Sequence, residues 1–143
     1  MPRYDKYDPK TGGFRAPLAA NFGYTSGLPN FSHTDLGAMK VVSINASGLV
    51  VIGYAGTTTR PVGVMILTEP KAAGDVVDIM TDGEIVEFTL ANGSAAAAGT
   101  AYTTAQDGTY GTTAVGANVA YIGHTVEAGR LIVRFNRPSV VGT

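Results

Sequence analysis

The chain has 143 residues, a formal net charge of −1 and no cysteine, with 45% hydrophobic and 15% charged residues. This length suits one domain with one hydrophobic core. The lack of cysteine excludes disulfides, thiolate metal sites and cysteine nucleophiles, and the balanced charge lacks the basic excess of a nucleic-acid-binding protein.

The sequence contains no recognisable targeting or membrane segment. Residues 1–6 (MPRYDK) lack the apolar stretch of a signal peptide. No apolar run approaches the roughly 18 residues that a membrane-spanning helix needs. We therefore expect a protein that is made in a cytoplasm and does not enter a membrane.

Residues 1–38 differ in composition from the rest of the chain. They contain neither Val nor Ile and hold four of the seven prolines. They also hold half of the aromatic residues, namely Tyr4, Tyr7, Phe14, Phe22, Tyr24 and Phe31. Proline favours extended backbone, and each aromatic ring can bury a large apolar area against another surface.

This composition predicts an extended N-terminal arm over residues 1–38 that becomes ordered against a partner subunit. Tyr7, Phe14 and Arg15 are the strongest candidate anchors, because tyrosine, aromatic rings and arginine are frequent anchors of protein interfaces. The alternative is a terminus without fixed contacts, as many chain ends are.

After Met39, β-branched residues dominate and predict a series of short strands. The predicted strands are Lys40–Asn45, Leu49–Tyr54, Val62–Leu67, Val76–Thr81, Glu84–Leu90, Ala101–Thr104, Val119–Gly123 and Leu131–Phe135. Their close spacing favours an all-β fold, a small β-barrel or β-sandwich, over residues 39–138. Residues 139–143 are left as a C-terminal tail.

Turn residues separate these strands. Asp82-Gly83 predicts a tight two-residue hairpin between its flanking strands. Ala46-Ser47-Gly48, Asp107-Gly108 and Ala128-Gly129 predict further turns. The alanine-rich run Ser94–Gly99 is too short for a stable helix and predicts a loop or a single helical turn.

No motif in the chain predicts catalysis or a cofactor. His33 and His124 have no second histidine at metal-ligand spacing. A triad of His124, Asp82 and a serine would lack the nucleophile elbow. We expect His124 to form an ordinary hydrogen bond at a strand end.

The acidic residues are equally uninformative. Glu84 and Glu87 fall on opposite faces of a strand, and Asp75 with Asp78 carries no sign of a shared cleft. We expect these carboxylates to be solvated charges on the faces of strands. The chain also lacks phosphate-binding loops, and no helix follows the adjacent glycines of the arm.

Three segments carry a resemblance to a known family: VGVMILTEPKAAGDVVDIMTDGEIVEF (62–88), AAGTAYTTAQDGTY (97–110) and AYIGHTVEAGRLIVRF (120–135). In this order, behind an extended arm, they resemble the small head decoration, or capsid cement, proteins of tailed bacteriophages. The resemblance covers roughly residues 40–135 and rests on composition and order, not on a catalytic motif.

The resemblance implies a β-barrel or β-tulip body that forms homotrimers at threefold axes on the outer surface of the virion, after synthesis in the bacterial host cytoplasm. It implies contacts of the arm with the major capsid protein or a neighbouring decoration subunit, and the predicted contact residues are Tyr4, Tyr7, Phe14, Arg15, Phe22, Tyr24 and Phe31. A carbohydrate- or receptor-binding β module of a virion, such as a head-fibre or tail-associated domain, is the alternative. Tyr102 and Tyr110 would be its binding platform.

Overall fold

A computed structural model describes residues 7–8, 12–54, 61–86, 88, 96–104, 110–111 and 120–135. These residues form strands and connecting turns, without a helix, which confirms the predicted all-β class. The strands are β1 (Tyr7–Asp8), β2 (Gly13–Pro17), β3 (Tyr24–Thr25), β4 (Leu28–Pro29), β5 (Met39–Ile44), β6 (Val50–Ile52), β7 (Gly63–Ile66), β8 (Val76–Met80), β9 (Asp82–Ile85), β10 (Ala101–Thr104), β11 (Tyr110–Gly111), β12 (Ala120–Glu127) and β13 (Arg130–Arg134).

The strands form two main sheets and one small hairpin. The large sheet has the order β1-β2-β8-β7-β5-β6, and the small sheet has the order β11-β10-β12-β13-β9. Strands β3 and β4 pair with each other as a separate hairpin. The arrangement resembles a β-sandwich, and the described strands do not close into a barrel.

Both faces of the large sheet contribute to a buried core, as strand β5 illustrates. Met39 and Val41 point into a core shared with the small sheet, whereas Val42 and Ile44 contact a second core on the opposite face. Successive side chains of a strand point to opposite sides of the sheet. The nearly continuous apolar sequence of β5 therefore requires a cover on each side.

The small sheet covers the first face of the large sheet. The buried core between them contains Met39, Val41, Val64, Ile85, Phe88, Ala96, Tyr102, Ile122, Leu131 and Val133. Phe88 and Tyr102 meet edge to face, with ring centroids 5.1 Å apart, a favoured geometry for aromatic pairs. Ala96 is fully buried in this core, within the predicted alanine-rich loop.

Residues of the predicted arm help to cover the second face. This core contains Leu18, Phe22, Val42, Val50, Met65, Leu67, Val77 and Ile79, with Phe14, Ala16, Leu36 and Ile44 packed against it. Strand β2 also pairs with β8 from Gly13↔Met80 to Pro17↔Val76. The division at residue 38 is therefore wrong for residues 13–22, because their side chains complete the core of the body.

The Asp82-Gly83 hairpin is a second prediction that the structure corrects. Strand β8 belongs to the large sheet and β9 to the small sheet, and both Asp82 and Gly83 lie inside β9. Neither residue has the positive φ of a tight hairpin turn. The N–H groups of Thr81 and Asp82 both donate to the carbonyl of Gly12, at 2.7 and 2.8 Å, and thereby fix the crossing between sheets.

Two predicted turns are confirmed. Ala128-Gly129 connects β12 to β13, with Glu127 opposite Arg130. The turn between β5 and β6 is held by the side chain of Asn45, whose Oδ1 accepts hydrogen bonds from the N–H groups of Ser47 and Leu49. The Asp107-Gly108 turn, Val119 and the tail 139–143 lie outside the described residues.

Candidate interaction surface

The aromatic residues predicted as arm anchors do not form one surface. Tyr4 lies outside the described residues, and for Tyr7 only the backbone is described, paired with Phe14 across β1 and β2. Phe22 is 4% exposed and lies in the second core, and Phe14 packs against the same core. Phe22 is thus an internal packing residue, because the body needs its ring to cover the large sheet.

Arg15 points away from that core, on the other face of β2. Its Nε lies 3.0 Å from Oδ1 of Asp78 on the neighbouring strand, and the two side chains are 60% and 85% exposed. Val76 and Ile66 are exposed on the same face of the sheet. The small sheet covers this face only farther along, where Met80 and Val64 join the first core.

We call Arg15, Asp78, Val76 and Ile66 the uncovered face of the large sheet. It combines a solvent-exposed ion pair with two apolar side chains. An exposed ion pair contributes little to folding by itself.

A second surface is the tip hairpin, which we define as residues 23–31. Tyr24 pairs with Pro29, and Thr25 pairs with Leu28. Ser26 and Gly27 form the two-residue turn and have φ values of 54° and 80°. Positive φ at both central residues is the signature of the turn that best matches the twist of paired strands.

The base of the tip hairpin is fixed to the body. Phe22 and Lys71 exchange two backbone hydrogen bonds, at 2.8 and 3.0 Å. Gly23 lies so close to its neighbours that a Cβ atom there would be 3.0 Å from Leu36 Cδ2 and 3.2 Å from Pro70 Cα. The hairpin therefore leaves the core at a defined position.

Asn30 holds the returning strand of the tip hairpin. Its backbone N–H donates to the carbonyl of Gly23 at 2.9 Å. Its Nδ2 donates to Thr25 Oγ1 at 3.0 Å, and its Oδ1 accepts from the N–H of Ser32 at 2.9 Å. These bonds order the hairpin within the single chain.

The tip hairpin presents apolar side chains to solvent. Leu28 is 69% exposed and Phe31 is 75% exposed. No residue from 16 to 34 is Asp, Glu, Lys or Arg. Sequence reasoning named Tyr24 and Phe31 but missed Leu28, although the Ser-Gly dipeptide before it is a recognised turn signal.

Both histidines have ordinary structural partners. His124 lies in the middle of β12, and its Nδ1 is 3.0 Å from Tyr121 Oη. His33 Nδ1 accepts a hydrogen bond from the Asp35 N–H at 3.1 Å. Among the described residues, no group of three or more His, Asp or Glu side chains could hold a metal ion.

The acidic residues considered for catalysis are also engaged. Asp75 accepts a hydrogen bond from the Ala72 N–H at 2.8 Å. Glu84 Oε1 lies 3.0 Å from Arg130 Nε, and Glu127 Oε1 lies 3.2 Å from Arg130 Nη1. Hydrogen bonds to Glu127 and then to Glu84 raise the pKa of Arg130. Glu87 lies outside the described residues.

The proposed sugar-binding platform is absent because Tyr102 is 1% exposed. Burial raises the pKa of Tyr102 above its usual 10.0. Tyr110 is half-buried, with its ring centroid 5.4 Å from that of Phe88, and its pKa is raised by burial and then by Tyr102. Both tyrosines belong to the core between the sheets.

No protein-family model matches the chain, and no curated protein matches it. A solved structure of a protein from Mycobacterium phage Patience has a similar fold, with a TM-score of 0.65. The similarity covers 92% of this chain and 95% of that one, at 20% sequence identity. The two proteins therefore share a fold over nearly their whole lengths. Within the described part of this chain, no helix is long and apolar enough to cross a membrane.

Proposed function

We propose that this protein is a structural component of a bacteriophage virion, and more specifically a decoration protein on the outer surface of the head. The observation that carries this proposal is the fold shared with a phage protein over 92% of the chain. The uncovered face and the tip hairpin add two exposed surfaces with apolar side chains. Neither surface carries a catalytic arrangement, so we propose a binding role and not an enzyme.

In this proposal, the protein stabilises the shell by burying surface across the boundaries of capsid subunits. The major capsid protein is the main partner, and further copies of this chain, as a homotrimer at threefold axes, are the second. Specific interfaces bury about 800 Å² per partner. Simultaneous contacts of one trimer would add avidity, so that each single contact can be modest.

The uncovered face is our candidate for the attachment surface. Arg15 and Asp78 are exposed and carry opposite charges, so they can pair with complementary charges of a partner. Val76 and Ile66 supply apolar area beside them. Tyr4 and Tyr7 remain predicted contacts of the segment before β2.

The proposal is tested by mixing the full-length protein with emptied heads of the source particle that lack it. We expect co-sedimentation that saturates at a fixed ratio of protein to capsid subunit, and heads that better survive osmotic shock. The mass of the free protein, from light scattering, tests the trimer. Heads that bind none of the protein would contradict the proposed function.

A matched pair of variants locates the attachment. Val76→Asp places a charge on the uncovered face, and Val126→Asp places one on β12 of the small sheet, where Val126 is similarly exposed. We expect Val76→Asp to weaken co-sedimentation and Val126→Asp to leave it unchanged. Equal binding by both variants would exclude the uncovered face as the attachment surface while leaving the virion role intact.

A further inference from the structure

We propose that the tip hairpin is a preformed docking element that inserts Leu28 and Phe31 into an uncharged, apolar recess of a different protein. This inference rests on the proposed function, which supplies a head protein as the partner. It concerns residues 23–31, which follow Phe22 in the chain, pair only with each other as strands and share no residue with the uncovered face.

The first argument is the combination of exposure and rigidity. Leu28 and Phe31 are among the most exposed large apolar residues of the described chain, yet they stand on a hairpin closed by backbone pairing, Asn30 and the Phe22–Lys71 bridge. Ser26 even adopts a positive φ, which costs a non-glycine residue free energy. A hairpin that is already ordered loses little conformational entropy on binding.

The second argument concerns the chemistry of the recess. The hairpin and the sequence that flanks it, residues 16–34, contain no Asp, Glu, Lys or Arg, and the nearby Lys71 at the hairpin base is paired with Glu69 at 3.1 Å. A charged group of the partner buried against Leu28 or Phe31 would lose its hydration without gaining an opposite charge. An apolar, uncharged recess is therefore the complementary surface.

The third argument excludes a second copy of the hairpin as the occupant. Leu28 and Phe31 together expose roughly 250 Å² of apolar surface, given about 150–250 Å² for a whole large side chain. Two hairpins packed against each other would bury far less than the roughly 1,200 Å² at the lower end of stable interfaces. The hairpin fits one contact of a larger attachment, made together with another surface of the chain.

The test compares the double variant Leu28→Ser/Phe31→Ser with a matched control, Val86→Ser/Val126→Ser, whose valines are exposed elsewhere. Each full-length protein is mixed with emptied heads that lack it, and the free protein is weighed by light scattering. We expect the hairpin variant to bind about tenfold more weakly or worse, as the loss of a central anchor does. The control should bind like the wild type, and all free proteins should have the same mass.

If the wild-type protein binds the heads and the hairpin variant binds them equally tightly, this inference is overturned but the proposed function stands. A lower mass of the free hairpin variant would also overturn it, because the hairpin would then join copies of this chain. Heads that do not bind even the wild-type protein would overturn both. Gly27→Val adds an independent check: it keeps both apolar side chains but strains the turn, and it should also weaken binding.

Discussion

Two adjacent parts of the N-terminal segment have similar compositions and opposite environments. Residues 13–22, the embedded part, contain Phe14, Leu18 and Phe22, which pack into the core on the large sheet. Residues 23–31, the tip hairpin, contain Leu28 and Phe31, which face solvent. Neither part holds Val or Ile, and only Arg15 carries a formal charge.

The difference lies in what each part can pair with. Strand β2 hydrogen-bonds along five residues of β8, so its alternate side chains are carried onto a sheet that already exposes apolar residues. The tip hairpin pairs only with itself and is joined to the body at its base. Aromatic content therefore does not decide burial: pairing with β8 buries the embedded part, whereas the tip hairpin, which pairs only with itself, stays exposed in the single chain.

The largest expected contrast is between the two phenylalanines. Phe22→Ala should lower the free energy of unfolding by about 3–5 kcal/mol, because it empties a core position. Phe31→Ala should change it by less than about 0.5 kcal/mol, as for other surface positions. Urea denaturation followed by circular dichroism measures both. Similar losses for the two variants would mean that the hairpin also packs against the body.

A smaller contrast is expected between two glycines. A Cβ atom at Gly13 would lie 2.3 Å from the Ile79 carbonyl oxygen, so Gly13→Ala should force β2 away from β8 and cost about 1–3 kcal/mol. Gly27 has open space around it, and Gly27→Ala should cost about 1 kcal/mol through its positive φ. Thermal denaturation gives the comparison. A harmless Gly13→Ala would show that β2 does not pack tightly on β8.

The smallest effect is expected at the uncovered face. Arg15→Ala should cost less than about 1 kcal/mol, because both partners of the Arg15–Asp78 pair are well exposed. In 1 M salt the difference from the wild type should shrink further, since exposed charges are screened. A loss of unfolding free energy as large as that of Phe22→Ala would contradict an exposed ion pair and would show that Arg15 packs in the core.

The sequence predicted the positions of the body strands well, but it predicted the wrong pairing for the two strands on either side of Asp82-Gly83. Ala101–Thr104 is confirmed to the residue, and Lys40–Asn45 is displaced by one position. In contrast, Asp82-Gly83 has the residues of a hairpin turn and lies inside β9. Its local preference was overridden because the Gly12 carbonyl binds the N–H groups of Thr81 and Asp82, a contact between residues that are far apart in the sequence.

The residues of the candidate surfaces were also predicted only in part from the sequence. Composition predicted Phe31, Arg15 and Phe22 alike as contacts with a partner, and it could not reveal that Phe31 and Arg15 are exposed whereas Phe22 is buried. Leu28 was missed because one leucine in a turn-rich stretch has no periodicity to reveal its environment. Val76 and Ile66 belong to predicted strands, and their exposure depends on how far the small sheet extends over them.

The sequence by itself determined the all-β class, the positions of most strands and the Ala128-Gly129 turn. These features depend on β-branched side chains and turn residues that act over a few positions. Only the tertiary structure decided that β2 belongs to the large sheet, that Tyr102 is buried and that Leu28 is exposed. Those outcomes depend on which strands pair across long sequence separations. A side chain is buried by residues of other segments, so its own segment does not reveal whether it is buried.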